Sequence, residues 1–338
     1  MEFSRRHFLG LAGAALVTGP VRAESGMRAY DIEILHRSIA EGDARGDGWI
    51  FGLPPGISTA QWPLDPNNGY PLQHGFTVRL PEDYRVHGPD IVALSFFSTA
   101  FDHNDGAPMV APAVRALFKA RDPERPEDPD LVPFWQSRRD EHPRLFRMRD
   151  ILDLEYAAIL LTEDEFSGGF AQPPDFGVNR HLQNVSPPAW MRSGAARAYW
   201  DFEAGYYGQD IEETYLYRQY GGVPEAGLAN NRAITLTPRR NDPNAGIPPR
   251  ETYFNGKTKT TYQRPFYFEG EPGAQVFHWH KWTKGHAANH IGGTMRPAQA
   301  VPDFSPYYIE FDEAFGGYNF GFGIAQLDFR DMRFDWAQ

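Results

Sequence analysis

The sequence predicts a strand-rich α+β fold with mostly antiparallel sheets and a few short helices. Its 338 residues include 29 Pro and 33 Gly spread along the chain, and this spread favours turns over long helices. The apolar segments are short and bounded by turn residues, a pattern typical of strands. Hydrophobic residues make up 41% of the chain and aromatic residues 14%, enough for a packed core. We expect a globular body over residues 24–338.

Eight segments are rich in β-branched and aromatic residues and are predicted to be strands. They are Phe76 to Leu80, Ile91 to Phe97, Ala157 to Thr162, Arg232 to Leu236, Pro265 to Phe268, Gln275 to His280, Tyr307 to Phe311 and Gly323 to Phe329. Three segments are predicted to be helices, namely Ala111 to Ala120, Pro133 to Glu141 and Ser193 to Tyr206. The long helix candidates are therefore far fewer than the strand candidates.

Two polar, Pro-rich segments are expected to be surface loops. Residues 121–133 contain four Pro among charged side chains, and they are the best boundary if the body consists of two lobes rather than one domain. Residues 237–251 form the second predicted loop.

A weak internal sequence similarity relates residues 50–80 to residues 291–311. Each segment runs from an Ile through Gly and Pro turns into a strand. This similarity indicates either that the chain has two related halves or that both segments contain the turn residues that any β-rich protein uses.

The first residues resemble a twin-arginine export signal. Arg5 and Arg6 precede a modest apolar run from Phe8 to Val17, and small residues at the usual positions predict cleavage after Ala23. The predicted signal peptide is thus residues 1–23. We expect the twin-arginine translocase as a partner and the periplasm as the location of the mature protein.

Charge and cysteine content exclude several classes of function. The formal net charge is −11, and cleavage after Ala23 would remove three Arg and one Glu, which leaves −13. An acidic chain without a basic stripe is a poor partner for nucleic acid, and no run of about 18 apolar residues predicts a membrane anchor after cleavage. The absence of Cys excludes disulfides, thiolate nucleophiles and Cys-bound metals.

The densest chemical cluster is rich in His. Four of the 11 His lie within 13 residues, at His278, His280, His286 and His290. On a strand, His278 and His280 would project from the same face, as ligands of one zinc or copper ion do. The alternative is a surface of amphipathic aromatic residues, because Lys281 and Lys284 would repel a cation.

Carboxylate groups form the second set of candidates, since paired carboxylates catalyse glycoside hydrolysis. They are Asp153 with Glu155, Glu163 with Asp164 and Glu165, and Glu310 with Asp312. In an acidic chain, such runs are more often solvated than catalytic.

The ends of the chain resemble the bacterial YwqG-like family. The N-terminal likeness rests on Gly52-Leu53-Pro54-Pro55-Gly56, Trp62-Pro63, Gly69-Tyr70-Pro71-Leu72, Leu80-Pro81 and Ser95-Phe96-Phe97. The C-terminal likeness rests on His290-Ile291-Gly292-Gly293, Pro297, Gln299, Gly323 to Phe329 and Phe334-Asp335-Trp336. Residues 101–277 have no counterpart, and Phe51 replaces an expected Gly. The resemblance implies a strand-rich α+β fold, with two related halves, and no catalytic residues.

Three functions therefore compete. The first is an exported protein that binds a ligand or partner through its aromatic, His-rich C-terminal region. The second is a metal-dependent periplasmic enzyme with His278 and His280 as ligands and Glu310 or Asp312 as a further ligand or base. The third is a carbohydrate-active hydrolase. Serine hydrolysis of the Gly-x-Ser-x-Gly type, phosphate-loop chemistry and dinucleotide binding lack their motifs.

Replacing Arg5 and Arg6 together by Lys should abolish export, because the receptor reads the guanidinium pair as an address. Cell fractionation and immunoblotting would measure this as loss of the cleaved periplasmic form. Unchanged secretion of the double variant would contradict the signal.

If the metal prediction holds, protein purified from the periplasm should contain zinc or copper in stoichiometric amount, and the double variant His278→Ala/His280→Ala should lose it. Elemental analysis of both proteins makes the measurement. Wild-type protein without metal would remove the metal-enzyme reading.

Overall fold

The computed structural model describes residues 26–104, 106–208, 215–250, 262–271 and 274–338. The predicted signal peptide, with Arg5, Arg6 and Ala23, lies outside these described residues.

Strands dominate the described part of the chain. They are β1 (Tyr30–Ile34), β2 (Gly48–Phe51), β3 (Gln73–Arg79), β4 (Ile91–Ser98), β5 (Leu145–Arg149), β6 (Glu155–Thr162), β7 (Asn231–Pro238), β8 (Phe266–Glu269), β9 (Val276–Trp279), β10 (His290–Ile291), β11 (Tyr308–Asp312), β12 (Ile324–Asp328) and β13 (Phe334–Ala337). Eleven of them form one antiparallel sheet in the order β13-β12-β11-β10-β1-β7-β2-β3-β4-β6-β5, while β8 and β9 form a separate hairpin.

The helices are short. They are α1 (Pro112–Lys119), α2 (Val132–Arg139), α3 (Glu163–Phe166), α4 (Trp190–Ser193), α5 (Ala195–Tyr207) and α6 (Tyr215–Tyr220). The prediction of a strand-rich, mostly antiparallel fold with few short helices is confirmed, but the balance is mostly β rather than an α+β mixture. No helix among the described residues is long and apolar enough to cross a membrane.

All eight predicted strands and all three predicted helices are present, with small shifts at their ends. The strands that the sequence pattern missed are β1, β2, β5, β10 and β13. Strand β1 carries Asp31 and Glu33, and β5 carries Arg147 and Arg149, so neither has the apolar character that marks a buried strand.

Aromatic rings fill the interior of the curved sheet. Phe76 on β3 and Phe96 on β4 stack with ring centroids 5.2 Å apart, and each also contacts Phe311 on β11, at 5.2 and 5.4 Å. Phe334 on β13 lies 4.1 Å from Tyr156 on β6. The two ends of the sheet therefore face each other across a shared core, and the sheet is nearly a barrel.

The predicted loop at 121–133 is mostly exposed. It joins α1 to α2, which pack in a small second core through Val114, Leu117 and Phe134. Strands from both sides of the loop belong to the large sheet, since β4 pairs with β6.

The second predicted surface loop, 237–251, is described as far as residue 250, and this part is only partly exposed. Arg239 is 6% exposed and Asn244 is fully buried. The expectation of a simple surface loop was wrong at these two residues, because their polar groups bind buried partners behind the sheet.

Truncating the central ring by Phe311→Ala should lower the free energy of unfolding by about 3–5 kcal/mol, since it leaves a cavity among packed aromatics. Urea denaturation followed by circular dichroism measures the change. The matched control Phe268→Ala removes a ring that is 48% exposed and should cost less than about 1 kcal/mol. Equal effects of the two variants would contradict the assignment of the core.

Candidate ligand-binding site

A buried arginine organises the outer side of the sheet. Arg239 follows β7, and its Nε donates to Oδ1 of Asp31 on β1 at 2.7 Å, while its Nη1 donates to Asp242 Oδ2 at 3.1 Å. Its Nη2 also donates to the Ala287 carbonyl at 3.0 Å. A buried charge is tolerated only with such partners, so this cation ties the segment after β7 to β1 and to the segment before β10.

Asp242 and Asn244 extend the network toward two later segments. Asp242 accepts hydrogen bonds from the backbone N–H of Thr294 at 2.9 Å and from its hydroxyl at 2.7 Å. Asn244 donates to the Gln263 carbonyl at 2.7 Å and accepts from the Gln263 N–H at 2.7 Å. The residues around Gln263 and Thr294 are thereby held side by side.

Two buried tyrosines complete this support. The Tyr262 hydroxyl donates to the Gly293 carbonyl at 3.2 Å and accepts from the Met295 N–H at 2.7 Å. The Tyr308 hydroxyl donates to the same Gly293 carbonyl at 2.7 Å. Burial raises the pKa of both tyrosines, so both stay neutral and act as fixed hydrogen-bonding groups.

A cavity of about 70 Å³ lies on this support, and we call it the arginine pocket. Its lining is Arg250, Tyr262, Arg264, Pro265, Phe266, Trp279, Met295, Arg296, Pro297, Gln299 and Val301. The described lining thus contains three guanidinium groups and no carboxylate.

Arg296 is the best-defined cation of the arginine pocket. Its Nη2 donates to the Thr283 carbonyl at 2.9 Å, and its guanidinium lies 5.1 Å from the ring centroid of Trp279. Its Nε is buried and has no hydrogen-bond partner among the described residues. Burial and, after it, the charge of Arg239 lower the pKa of Arg296, while the nearby carboxylates of Glu310, Asp31 and Asp242 act in the opposite direction. The main cost to its cationic form is therefore desolvation.

Arg250 connects the arginine pocket to a second cavity. It forms an ion pair with Asp303 and donates to the Phe304 carbonyl at 3.3 Å. The second cavity measures about 380 Å³ and contains both signs of charge, with Arg330 and Arg333 beside three aspartates. Its positive and negative side chains balance one another, so the second cavity does not favour an anionic ligand.

His278 and His280 lie on one face of the β8–β9 hairpin, as predicted. Both rings contact Tyr267, with centroids 5.4 and 4.9 Å from it. His278 Nε2 is 3.6 Å from a Glu269 carboxylate oxygen, and the ring of His280 stacks on Trp282. The pair is a part of an aromatic row on the side of the hairpin opposite Phe266.

The other two histidines lie elsewhere. The ring of His286 packs against Trp282 at 5.9 Å. His290 is fully buried on β10, where its Nδ1 is 2.8 Å from the Gly292 carbonyl and its Nε2 is 3.0 Å from Glu310 Oε1. Since the carbonyl can only accept, Nδ1 is the donor in the hydrogen bond to Gly292. Both ring nitrogens are thereby occupied.

Among the described residues, no group of three or more His, Asp or Glu is placed to hold a metal ion. His278 with His280, His286, and His290 occupy three different surroundings. Metal binding by these four residues stays a prediction, and the elemental analysis given above tests it.

The predicted carboxylate groups each have structural partners. Glu155 is paired with Arg147 at 3.1 Å and with Arg149 at 3.4 Å. Glu165 closes a capping box at the start of α3. Glu310 also accepts hydrogen bonds from Arg296 N and Gln326 Nε2. Burial raises the pKa of Asp312 to about 6, and its carboxylate accepts from the Phe315 N–H at 3.1 Å.

No motif in the sequence marked the three arginines of the pocket as functional residues. One local signal was present, because each adjoins a proline, in Pro249-Arg250, Arg264-Pro265 and Arg296-Pro297. Proline restricts the backbone of the residue before it, which limits the backbone conformations of Arg264 and Arg296; Arg250 follows its proline and is not restricted in this way. That they converge is a result of the fold.

Searches of protein-family models, of curated proteins and of solved structures give no match to this chain.

Proposed function

We propose that this protein is an exported periplasmic protein that binds a small anion, or the anionic group of a larger ligand, in the arginine pocket. The observation that carries the proposal is the convergence of three guanidinium groups without a carboxylate among the described lining residues. The proposed route is the twin-arginine translocase, and its support is the leader sequence with Arg5 and Arg6.

The electrostatics of Arg296 favour an anion over a neutral ligand. Its unpartnered Nε is a buried donor, and a donor without an acceptor costs about 1–3 kcal/mol. A carboxylate or phosphate oxygen would satisfy this donor and reduce the repulsion between Arg296 and Arg239. A neutral ligand could accept a hydrogen bond from Nε but would not reduce the repulsion between the two arginines.

The size and walls of the pocket limit the bound group. A space of about 70 Å³ has room for a carboxylate or a phosphate group. Trp279 and Phe266 supply an apolar wall beside the cations, which is the usual composition of a small-molecule site, with a few polar groups fixing the orientation.

We also propose that the large sheet consists of two related halves that meet between β1 and β7. In the strand order, β10 and β11 follow β1 on one side in the same way that β2 and β3 follow β7 on the other. The similar sequence segments, residues 50–80 and 291–311, contain residues of these equivalent strands. Gly52 and Gly292 follow β2 and β10, and both have positive φ, 66° and 60°, which supports the relation.

The variant Arg296→Gln should weaken anion binding about tenfold or more, because a charge-assisted hydrogen bond contributes about 1.5–3 kcal/mol. Isothermal titration calorimetry at low salt with phosphate, acetate and benzoate measures the affinity. Arg296→Lys should retain part of the affinity, because it keeps the charge but loses the planar fork.

The matched control is Arg330→Gln. Arg330 lines only the second cavity, where its guanidinium packs over Tyr307 at 4.8 Å, so binding should stay unchanged. Absence of binding for every anion in the wild-type protein, or equal affinity of the wild type and Arg296→Gln, would overturn the proposal.

A further inference from the structure

One face of the β8–β9 hairpin is an exposed aromatic surface. In the strand register, Phe266 lies opposite Trp279 and Phe268 lies opposite Phe277, and residues two apart along a strand share a face. The four rings contact one another with centroids 4.9 to 6.0 Å apart. We call these four residues the aromatic face.

Most of the aromatic face is in contact with solvent. Phe268 is 48% exposed, Phe277 is 43% exposed and Trp279 is 50% exposed. Single exposed apolar side chains are normal, but contiguous apolar patches mark binding surfaces. The exposed area of the aromatic face is therefore typical of a surface that binds a ligand or a partner.

The aromatic face is continuous with the arginine pocket. Phe266 and Trp279 belong to both, since they line the cavity and also form one end of the face. Arg296 lies over the ring of Trp279. A ligand whose charged end enters the pocket would leave it along these two rings and continue toward Phe268 and Phe277.

We propose that the ligand is a single-chain amphiphilic anion, such as an alkyl carboxylate, with its head group in the arginine pocket and its chain on the aromatic face. This inference rests on the proposed anion binding and names the class of ligand. Each strand of the hairpin is four residues long, or about 13 Å at a rise of about 3.3 Å per residue, a span comparable to that of a chain of about ten carbons.

Charge favours this occupant over a second copy of the chain. A symmetric dimer places the same patch of both subunits against itself, so the Arg296 guanidinium groups of the two subunits would approach one another. Like charges brought together in this way disfavour association.

Charge also disfavours a bilayer as the occupant. Glu269 and Glu271 lie at the far end of the hairpin, where they would meet the anionic lipid surface, and the whole chain carries −11. Anionic membranes attract basic segments and repel acidic ones. A single-chain anion would instead place its charge in the arginine pocket, at the opposite end of the hairpin from Glu269 and Glu271.

The test is a chain-length series of acetate, hexanoate and decanoate below its micelle concentration, titrated by calorimetry into the full mature protein. Affinity should rise about twofold per methylene, as expected when about half of the ~0.8 kcal/mol of a fully buried methylene is realised on an open face. Decanoate should therefore bind about 16-fold more tightly than hexanoate.

The double variant Phe268→Ser/Phe277→Ser separates the chain from the head group. Both side chains are exposed, so the variant should fold, as circular dichroism would verify. It should bind acetate with unchanged affinity and lose most of the gain between hexanoate and decanoate. Arg296→Gln should weaken all three ligands by the same factor.

The outcomes distinguish the two proposals. Acetate binding with no dependence on chain length would overturn the amphiphile inference and leave the proposed function intact, whereas no binding of any anion would remove both. Two further measurements can also overturn the inference. One is a wild-type dimer in analytical ultracentrifugation that the double variant converts to a monomer. The other is co-sedimentation of the wild type, but not of the variant, with phosphatidylcholine or phosphatidylglycerol vesicles.

Discussion

The contact between Phe96 and Phe311 inside the curved sheet is the interaction on which the fold depends. The two end strands, β5 and β13, do not pair with each other, so backbone hydrogen bonds do not close the sheet. Strand twist curls a long sheet, and the burial of large rings from both ends holds the curl. A hydrogen bond from Trp336 Nε1 to Asp150 Oδ2 at 2.8 Å adds a polar contact between these ends. In a chain without Cys, no disulfide shares this role.

Arg239 holds several loops together beside the sheet, as the aromatic rings hold the interior of the sheet together. A buried guanidinium needs carboxylate and carbonyl partners, and its partners come from segments far apart in the chain, at Asp31, Asp242 and Ala287. Satisfying one cation therefore fixes the path of several loops. The same charge lies close enough to Arg296 to lower its pKa.

In the proposed complex, the arginine pocket and the aromatic face would recognise different parts of the ligand through two different forces. Paired guanidinium groups in a confined space recognise charge and orientation, and they do so best where water is displaced. The rings of the hairpin recognise apolar length, which is non-directional and grows with the area covered. Trp279 belongs to both surfaces, and its ring lies beneath a cation while its other atoms remain exposed. Of the histidines, which the sequence marked most clearly, His278 and His280 lie on the opposite face of the hairpin. His290 is buried on β10.

The sequence by itself determined the strand-rich class, eight strands and three helices, because alternation, β-branching and proline placement act within a few residues. It also placed His278 and His280 on one face, since that follows from the period of a strand. Only the tertiary structure decided the partners of β1 and β10, the burial of His290 against Glu310, and the meeting of Arg250, Arg264 and Arg296. These depend on contacts between residues far apart in the chain. A short strand such as β10 gains its stability from its neighbours, and a cation becomes part of a site only when folding brings others beside it.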